Sequence, residues 1–278
     1  MSVPTLRVAA LVAVGLCLGS SSAPGADEKP NRPAAISDLS MEITALQGLY
    51  QFDFKKEQLD ALRNVARETS QPAGARLAPQ CTEKFRQAMR DLHAELVKGE
   101  DGERVNDLQD KVENLRDAEN PMLDDGWEIT EEARAKSREV FRQLNARQIV
   151  TFLSGYAADF QDPHELVSDA LKKVRGLKDQ EWKEVRDSVA GEAGRLAAGV
   201  DEDKAEEISG KITQLLIEAR GMSDAEFKTD LGNLEKSARR ALGNLQSFDV
   251  IRNAIEYSLA ELLSNPRLPA AIETLLKK

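Results

Sequence analysis

The sequence predicts an all-α fold, a multi-helix bundle of amphipathic helices with no sheet. Apolar residues recur at spacings of three and four from residue 37 almost to the end of the chain, whereas alternation with a period of two never persists. Aromatic residues make up only 5% of the 278 residues, which is few for a β-sandwich or barrel. Hydrophobic residues, at 41%, are enough to build a core, so the chain is not expected to be disordered throughout.

The chain begins with a predicted secretory signal peptide, residues 1–26. Arg7 supplies the positive charge, an apolar run extends from Val8 to Gly19, and small residues precede the first acid at Asp27. The run is too short to span a bilayer core of about 30 Å. We therefore expect the mature chain to be exported, periplasmic or extracellular, and to have no transmembrane span.

Cleavage of this peptide would leave a single cysteine. It removes Cys17 and keeps Cys81, so the mature chain cannot form an internal disulfide. The alternative for Cys17 is attachment of a lipid, but Leu16 stands where a lipoprotein signal needs a small residue.

A flexible linker, two helices and a break are predicted before residue 81. Residues 27–36 are polar and rich in proline, as linkers are. Helices are predicted at 37–50 and 54–68, and the break at 69–80 contains two prolines and a glycine. The apolar positions of the two helices are Leu39, Ile43, Leu46 and Leu49, then Leu59, Leu62, Val65 and Ala66.

An antiparallel helical hairpin is predicted near 82–119. Two narrow, heptad-like apolar seams flank a short turn at Gly99–Gly102, which is the pattern of two coiled-coil helices that fold back on each other. The seam positions are Phe85, Met89, Leu92 and Leu96, then Val105, Leu108, Val112 and Leu115.

The rest of the chain predicts further helices. A break at 120–128 precedes a helix near Thr130, and a helix boundary falls near Asn145. Asp162-Pro163 opens the next helix, and we place a domain boundary there, between an N-terminal helical domain at 37–161 and a C-terminal one at 162–278. The alternative is that both halves share one core.

One short motif recurs at predicted helix starts. It consists of an apolar residue, three mostly polar residues, Gln or Glu, and a second apolar residue. The two closest copies begin at Phe54, with Gln58, and at Leu144, with Asn145 and Gln148. Looser copies end in Glu181-Trp182 and Glu226-Phe227. An N-cap side chain followed three residues later by Gln or Glu is a capping box, so the motif indicates helix starts.

The second copy also carries a resemblance. Leu144-Asn-Ala-Arg-Gln148 resembles the Leu-Thr-x-x-Gln motif of the Spy/CpxP family of periplasmic helical stress proteins, and Phe54–Gln58 is similar but differs at the Leu and Thr positions. The resemblance implies an exported all-helical protein without disulfides. It also implies curved hairpin dimers that hold unfolded clients or sense metals and envelope stress.

Motifs of catalysis and cofactor binding are missing from the sequence. His164-Glu165-Leu-Val-Ser168 lacks the second histidine of a zinc-protease helix, and Ser209-Gly210-Lys211 lacks the earlier glycine of a phosphate loop. We therefore predict a protein that is not an enzyme and holds no cofactor. The net charge of −10 argues against a nucleic-acid partner, because phosphate contacts need a basic face.

The acidic excess is concentrated in one window. Residues 100–132 hold 13 acids and three bases, and Asp124, Asp125 and Glu128 lie in the predicted break. No metal site is predicted, and these three are the candidate ligands if one exists, since carboxylates suit Ca²⁺. The alternative is a solvated face that keeps the protein soluble.

Two functions follow from the sequence. The first is an exported, non-enzymatic protein that binds a protein partner or an unfolded client as a scaffold or a holdase-like envelope stress factor. The second is a metal- or cation-responsive envelope protein that uses the acidic window at 100–132. A homo-oligomer is left open.

Overall fold

A computed structural model describes residues 36–72, 81–99, 102–156 and 161–278, and these residues form twelve α-helices and no strand. The all-α prediction is confirmed. The helices are α1 (Ile36–Gln51), α2 (Lys56–Thr69), α3 (Glu83–Lys98), α4 (Gly102–Glu119), α5 (Glu131–Phe141), α6 (Ala146–Tyr156), α7 (Pro163–Lys173), α8 (Asp179–Ala198), α9 (Glu202–Gly221), α10 (Asp224–Leu242), α11 (Ser247–Ser264) and α12 (Leu268–Leu276).

The predicted signal peptide, with Cys17, and residues 27–35 of the predicted linker lie outside the described residues. The linker is shorter than predicted, because Ile36 already begins α1 and is buried. No described helix combines the length and the apolar character that crossing a bilayer requires.

The chain divides into two compact units that are discontinuous in sequence. The first contains the described parts of 1–133, 144–157 and 261–278, and the second contains those of 134–143 and 158–260. This division differs from the single boundary predicted at Asp162-Pro163, because residues 261–278 belong to the same unit as the N-terminal helices.

In the first unit, α1 contacts α3, α6 and α12, and α2 packs on α12. Leu268 and Ile272 of α12 are completely buried, which explains why the C-terminal residues join this unit. Polar contacts fix the connection before α12: Asn265 donates its side-chain N–H to the carbonyl of Met41 at 2.9 Å, and Arg267 pairs with Asp38.

Helices α3 and α4 form the predicted hairpin. Gly99 ends α3 with φ at 69°, a left-handed conformation that favours glycine. At the opposite end Thr82 caps α3 and donates its hydroxyl to Glu119, the last residue of α4, at 2.6 Å. Seven of the eight predicted seam residues are buried; Leu108 is only partly buried, and its neighbour Gln109 is buried instead.

The second unit has its main core between α7, α8, α9 and α10. Helices α8 and α9 form its most extensive pair. They approach closely at Gly194, where an added Cβ would lie 2.5 Å from the carbonyl oxygen of Ala205. The largest completely buried core residues here are Leu171, Ile212 and Leu216.

Candidate functional site

All four copies of the recurring motif begin helices, as predicted. In each copy the side chain of the Gln or Glu accepts a hydrogen bond from the backbone N–H three residues earlier, which satisfies a donor that the helix start leaves free. These bonds run from Lys55 to Gln58 at 3.0 Å, from Asn145 to Gln148 at 3.1 Å, from Lys178 to Glu181 at 3.2 Å and from Ser223 to Glu226 at 2.8 Å.

The two closest copies meet in the first unit. Gln58 and Gln148, 90 residues apart in the chain, form a reciprocal pair in which each amide nitrogen donates to the other amide oxygen, at 3.2 and 3.1 Å. Gln148 also donates to the backbone carbonyl of Phe52 at 3.0 Å and is 1% exposed. The pair therefore joins the α1–α2 turn to the start of α6.

The presence of Gln rather than Glu in these two copies has a chemical reason. An amide supplies both an acceptor and donors, whereas an ionised carboxylate only accepts. Glu181 and Glu226 accept the capping bond in the other two copies and need no donor. Only the two Gln residues can cap a helix and donate to each other as well.

Aromatic residues lie close in sequence to the amide pair and pack on one another. Phe52 and Phe152 are stacked with centroids 5.0 Å apart, and Phe54 packs on Phe52 at 5.6 Å. Leu144 is partly buried and Asn145 is exposed. The sequence motif did not include Phe52 or Phe152, although Phe152 lies one helical turn after Gln148 and that spacing is a usable signal.

The acidic candidates Asp124, Asp125 and Glu128 lie outside the helices, in residues 120–130, which we call the strap. The strap begins with a turn, in which the N–H of Leu123 donates to the carbonyl of Pro121 at 2.9 Å. After this turn exposed and partly buried residues alternate, as in an extended chain. Three side chains from separate places in the first unit bind its backbone. Ser37 in α1 accepts from the N–H of Asp124 at 3.2 Å, and Ser264 at the end of α11 accepts from the N–H of Thr130 at 3.0 Å. Gln71, just after α2, donates to the carbonyl of Glu128 at 2.8 Å. We call Ser37, Gln71 and Ser264 the seat.

Strap side chains add a second set of contacts. The carboxylate of Asp125 accepts from the hydroxyl of Ser40 at 2.6 Å and pairs with Arg116 at 3.4 Å. The indole N–H of Trp127 donates to the carbonyl of Glu261 at 2.9 Å. The strap is thus bound along its length to α1, α4 and α11.

The acidic candidates do not form a metal centre within the described residues. No group of three or more His, Cys, Asp or Glu side chains in the described ranges is arranged to hold a metal ion. The carboxylate of Asp125 already binds Ser40 and Arg116, and these contacts attach the strap to α1 and α4.

His164 lines a cavity between α7 and α10 in the second unit, together with Ser168, Lys172 and Glu235. The Ser168 hydroxyl donates to Glu235 at 2.7 Å and accepts from Lys172 at 3.0 Å. The bond from Ser168 lowers the pKa of Glu235, which makes this carboxylate a weak base.

No family model, curated protein or solved structure matches this chain. The resemblance of Leu144–Gln148 to the Spy/CpxP motif stays a prediction from those residues.

Proposed function

We propose that this chain is an exported, non-enzymatic helical protein that binds extended segments of unfolded proteins, in the manner of a holdase. One observation carries the proposal: the first unit binds an extended segment, the strap, through hydrogen bonds to its backbone. Every polypeptide offers the same N–H and C=O groups, so a surface that binds backbone accepts many sequences.

Exposed apolar side chains provide further support. Val150 is 60% exposed in the first unit, and Phe248 is 58% exposed in the second. An unfolded client exposes apolar groups of its own, and burying these against such side chains stabilises the complex.

The Spy/CpxP resemblance supports the same function, since that family holds unfolded clients. The two motif copies that carry the resemblance are joined through Gln58 and Gln148 and hold the α1–α2 turn against α6. The cation-responsive alternative gains no such support, because Asp125 is occupied by Arg116.

The test uses residues 27–278 and a chemically denatured client protein. We expect stoichiometric amounts to suppress client aggregation, measured by light scattering, and to do so in moderate salt, because backbone and apolar contacts are weakly screened. Val150→Lys is expected to weaken suppression, whereas Ser154→Lys, one turn later on the same helix and also exposed, serves as the matched control. An absence of suppression by the unaltered chain would overturn the proposal.

A titration with Ca²⁺ or Zn²⁺ distinguishes the cation-responsive alternative from the holdase-like protein. Trp127 lies in the acidic window and reports a change there through its fluorescence. A saturable emission change at micromolar metal, without client binding, would favour the cation-responsive protein.

A further inference from the structure

We infer that the strap is a displaceable internal occupant of the client-binding surface, so that the strap and an extended client segment compete for the seat. This inference rests on the proposed function and adds how client capture is controlled. It also specifies the client segment: an extended stretch with an acidic residue that replaces Asp125 beside Ser40 and Arg116.

The strap is attached in a way that permits release. None of its residues is buried, and Met122 near its start is almost fully exposed. Its apolar residues Leu123, Trp127 and Ile129 are only partly buried. Release therefore uncovers less apolar surface than opening a core helix, whose buried apolar side chains are its main source of stability. Segments held by a few exposed or partly exposed hydrogen bonds open at lower free energy than the core.

The strap is also arranged like a bound peptide. From Asp124 to Ile129 its residues alternate between exposed and partly buried positions, the pattern of an extended chain with one side on a surface. Ser37 and Ser264 belong to helices, so their positions do not depend on the strap. A client backbone placed in the same direction would meet the same two acceptors and the amide donor of Gln71.

The carboxylate of Asp125 is bound by two groups of the surface. Ser40 donates to it at 2.6 Å and Arg116 pairs with the same oxygen at 3.4 Å. A charged acceptor strengthens these contacts relative to a neutral one. A client that presents Asp or Glu at this point reproduces both contacts. The surface accepts many sequences elsewhere, so its one preference is for an acidic residue here.

The test locks the strap through this contact. In a Cys81→Ser background, Ser40→Cys with Asp125→Cys places two thiols where the hydroxyl and carboxylate now meet. Oxidised protein, with the disulfide verified by mass spectrometry, is expected to bind a denatured client at least about tenfold more weakly than the unaltered chain, since the open form becomes inaccessible. Reduction is expected to restore binding, because the strap can then leave the seat again.

A second variant keeps the inference testable if the lock distorts the fold. Replacing 121–129 by a Gly/Ser stretch of equal length is expected to increase client affinity several-fold, and a synthetic peptide of residues 120–130 is expected to compete with the client. Lost client binding in this variant, with unchanged circular dichroism, would overturn the inference, because the strap would then itself be the binding segment.

The outcomes separate the two proposals. If the unaltered chain binds no client, the proposed function fails. If it binds a client equally well in the oxidised, reduced and unaltered forms, the function stands and the displaceable strap is wrong. Binding of a client without tryptophan is also expected to shift Trp127 emission to the red, and an unchanged spectrum contradicts displacement.

Discussion

Gln148 performs two tasks with one amide group. Its oxygen accepts the capping hydrogen bond from Asn145 and a bond from Gln58, and its nitrogen donates to Gln58 and Phe52. A carboxylate of the same shape keeps the first task and loses the second.

Gln148→Glu is therefore expected to destabilise the protein by about 2–4 kcal/mol, because it introduces a buried negative charge that faces the carbonyl of Phe52. The measurement is urea unfolding followed by circular dichroism. The matched control is Glu226→Gln, the reverse exchange at an exposed copy of the motif, which is expected to leave the urea midpoint almost unchanged. Equal effects of the two exchanges would show that the amide pair does not stabilise the first unit.

Glu256 predicts a dependence of stability on pH. Burial raises the pKa of this carboxyl above its usual value, against the opposing influence of Arg252, Arg138 and Arg142. The folded chain therefore holds this proton when the unfolded chain has released it, so this contribution to stability is present at low pH and is lost as pH rises from about 4.5 through the raised pKa. Glu256→Gln is expected to remove that loss. The difference in stability between this variant and the unaltered chain should therefore grow in favour of the variant between pH 4 and 7. Thermal unfolding measures this difference. A constant difference over that range would contradict the expectation.

At the scale of the elements, the α8–α9 pair depends on one glycine. Gly194→Ala is expected to destabilise by about 1–3 kcal/mol, because the new methyl group meets the backbone carbonyl of Ala205, which cannot move without shifting α9. Gly191→Ala, one turn earlier in α8 with no atom within 4 Å of the added Cβ, is expected to stabilise by about 0.5–1 kcal/mol. Denaturant midpoints of the two variants should therefore move in opposite directions, and a shift in the same direction would contradict the close approach.

Most helices were predictable because their signals are local. Thr82, Asp162 and Ser223 mark helix starts through bonds within one turn, and seam spacing predicted the α3–α4 hairpin. The pairing of Gln58 with Gln148 was not predictable, because it depends on tertiary packing between residues 90 apart. The strap was predicted only as a break, since its extended form is set by groups in α1, α4 and α11 and not by its own sequence.

At the scale of the whole molecule, the first unit needs both ends of the chain. A single domain boundary at residue 162 would make the fragment 27–161 an independent domain. This fragment lacks α12 and therefore the completely buried Leu268, Ala271 and Ile272. Burial of a large apolar side chain contributes about 1.5–3 kcal/mol, against a total stability of about 5–15 kcal/mol for a domain.

We therefore expect the isolated fragment to unfold at a lower temperature and with a broader transition than residues 27–278, as seen by circular dichroism. Adding a peptide of residues 261–278 should sharpen the transition. A fragment that unfolds cooperatively without the peptide would show that the N-terminal residues form a domain by themselves. The sequence did not reveal that the C-terminal residues pack with the N-terminal ones, because α12 has the same apolar spacing as any other short helix.

The packing of α12 on α1 and α2 also affects the order in which the first unit folds during synthesis. Between residue 157 and residue 261 the ribosome adds about 100 residues, which takes about 5–20 s at ordinary rates. Throughout that interval the faces of α1 and α2 that α12 later covers have no permanent neighbour. We therefore expect a nascent chain of this protein to expose these faces until α12 has been synthesised.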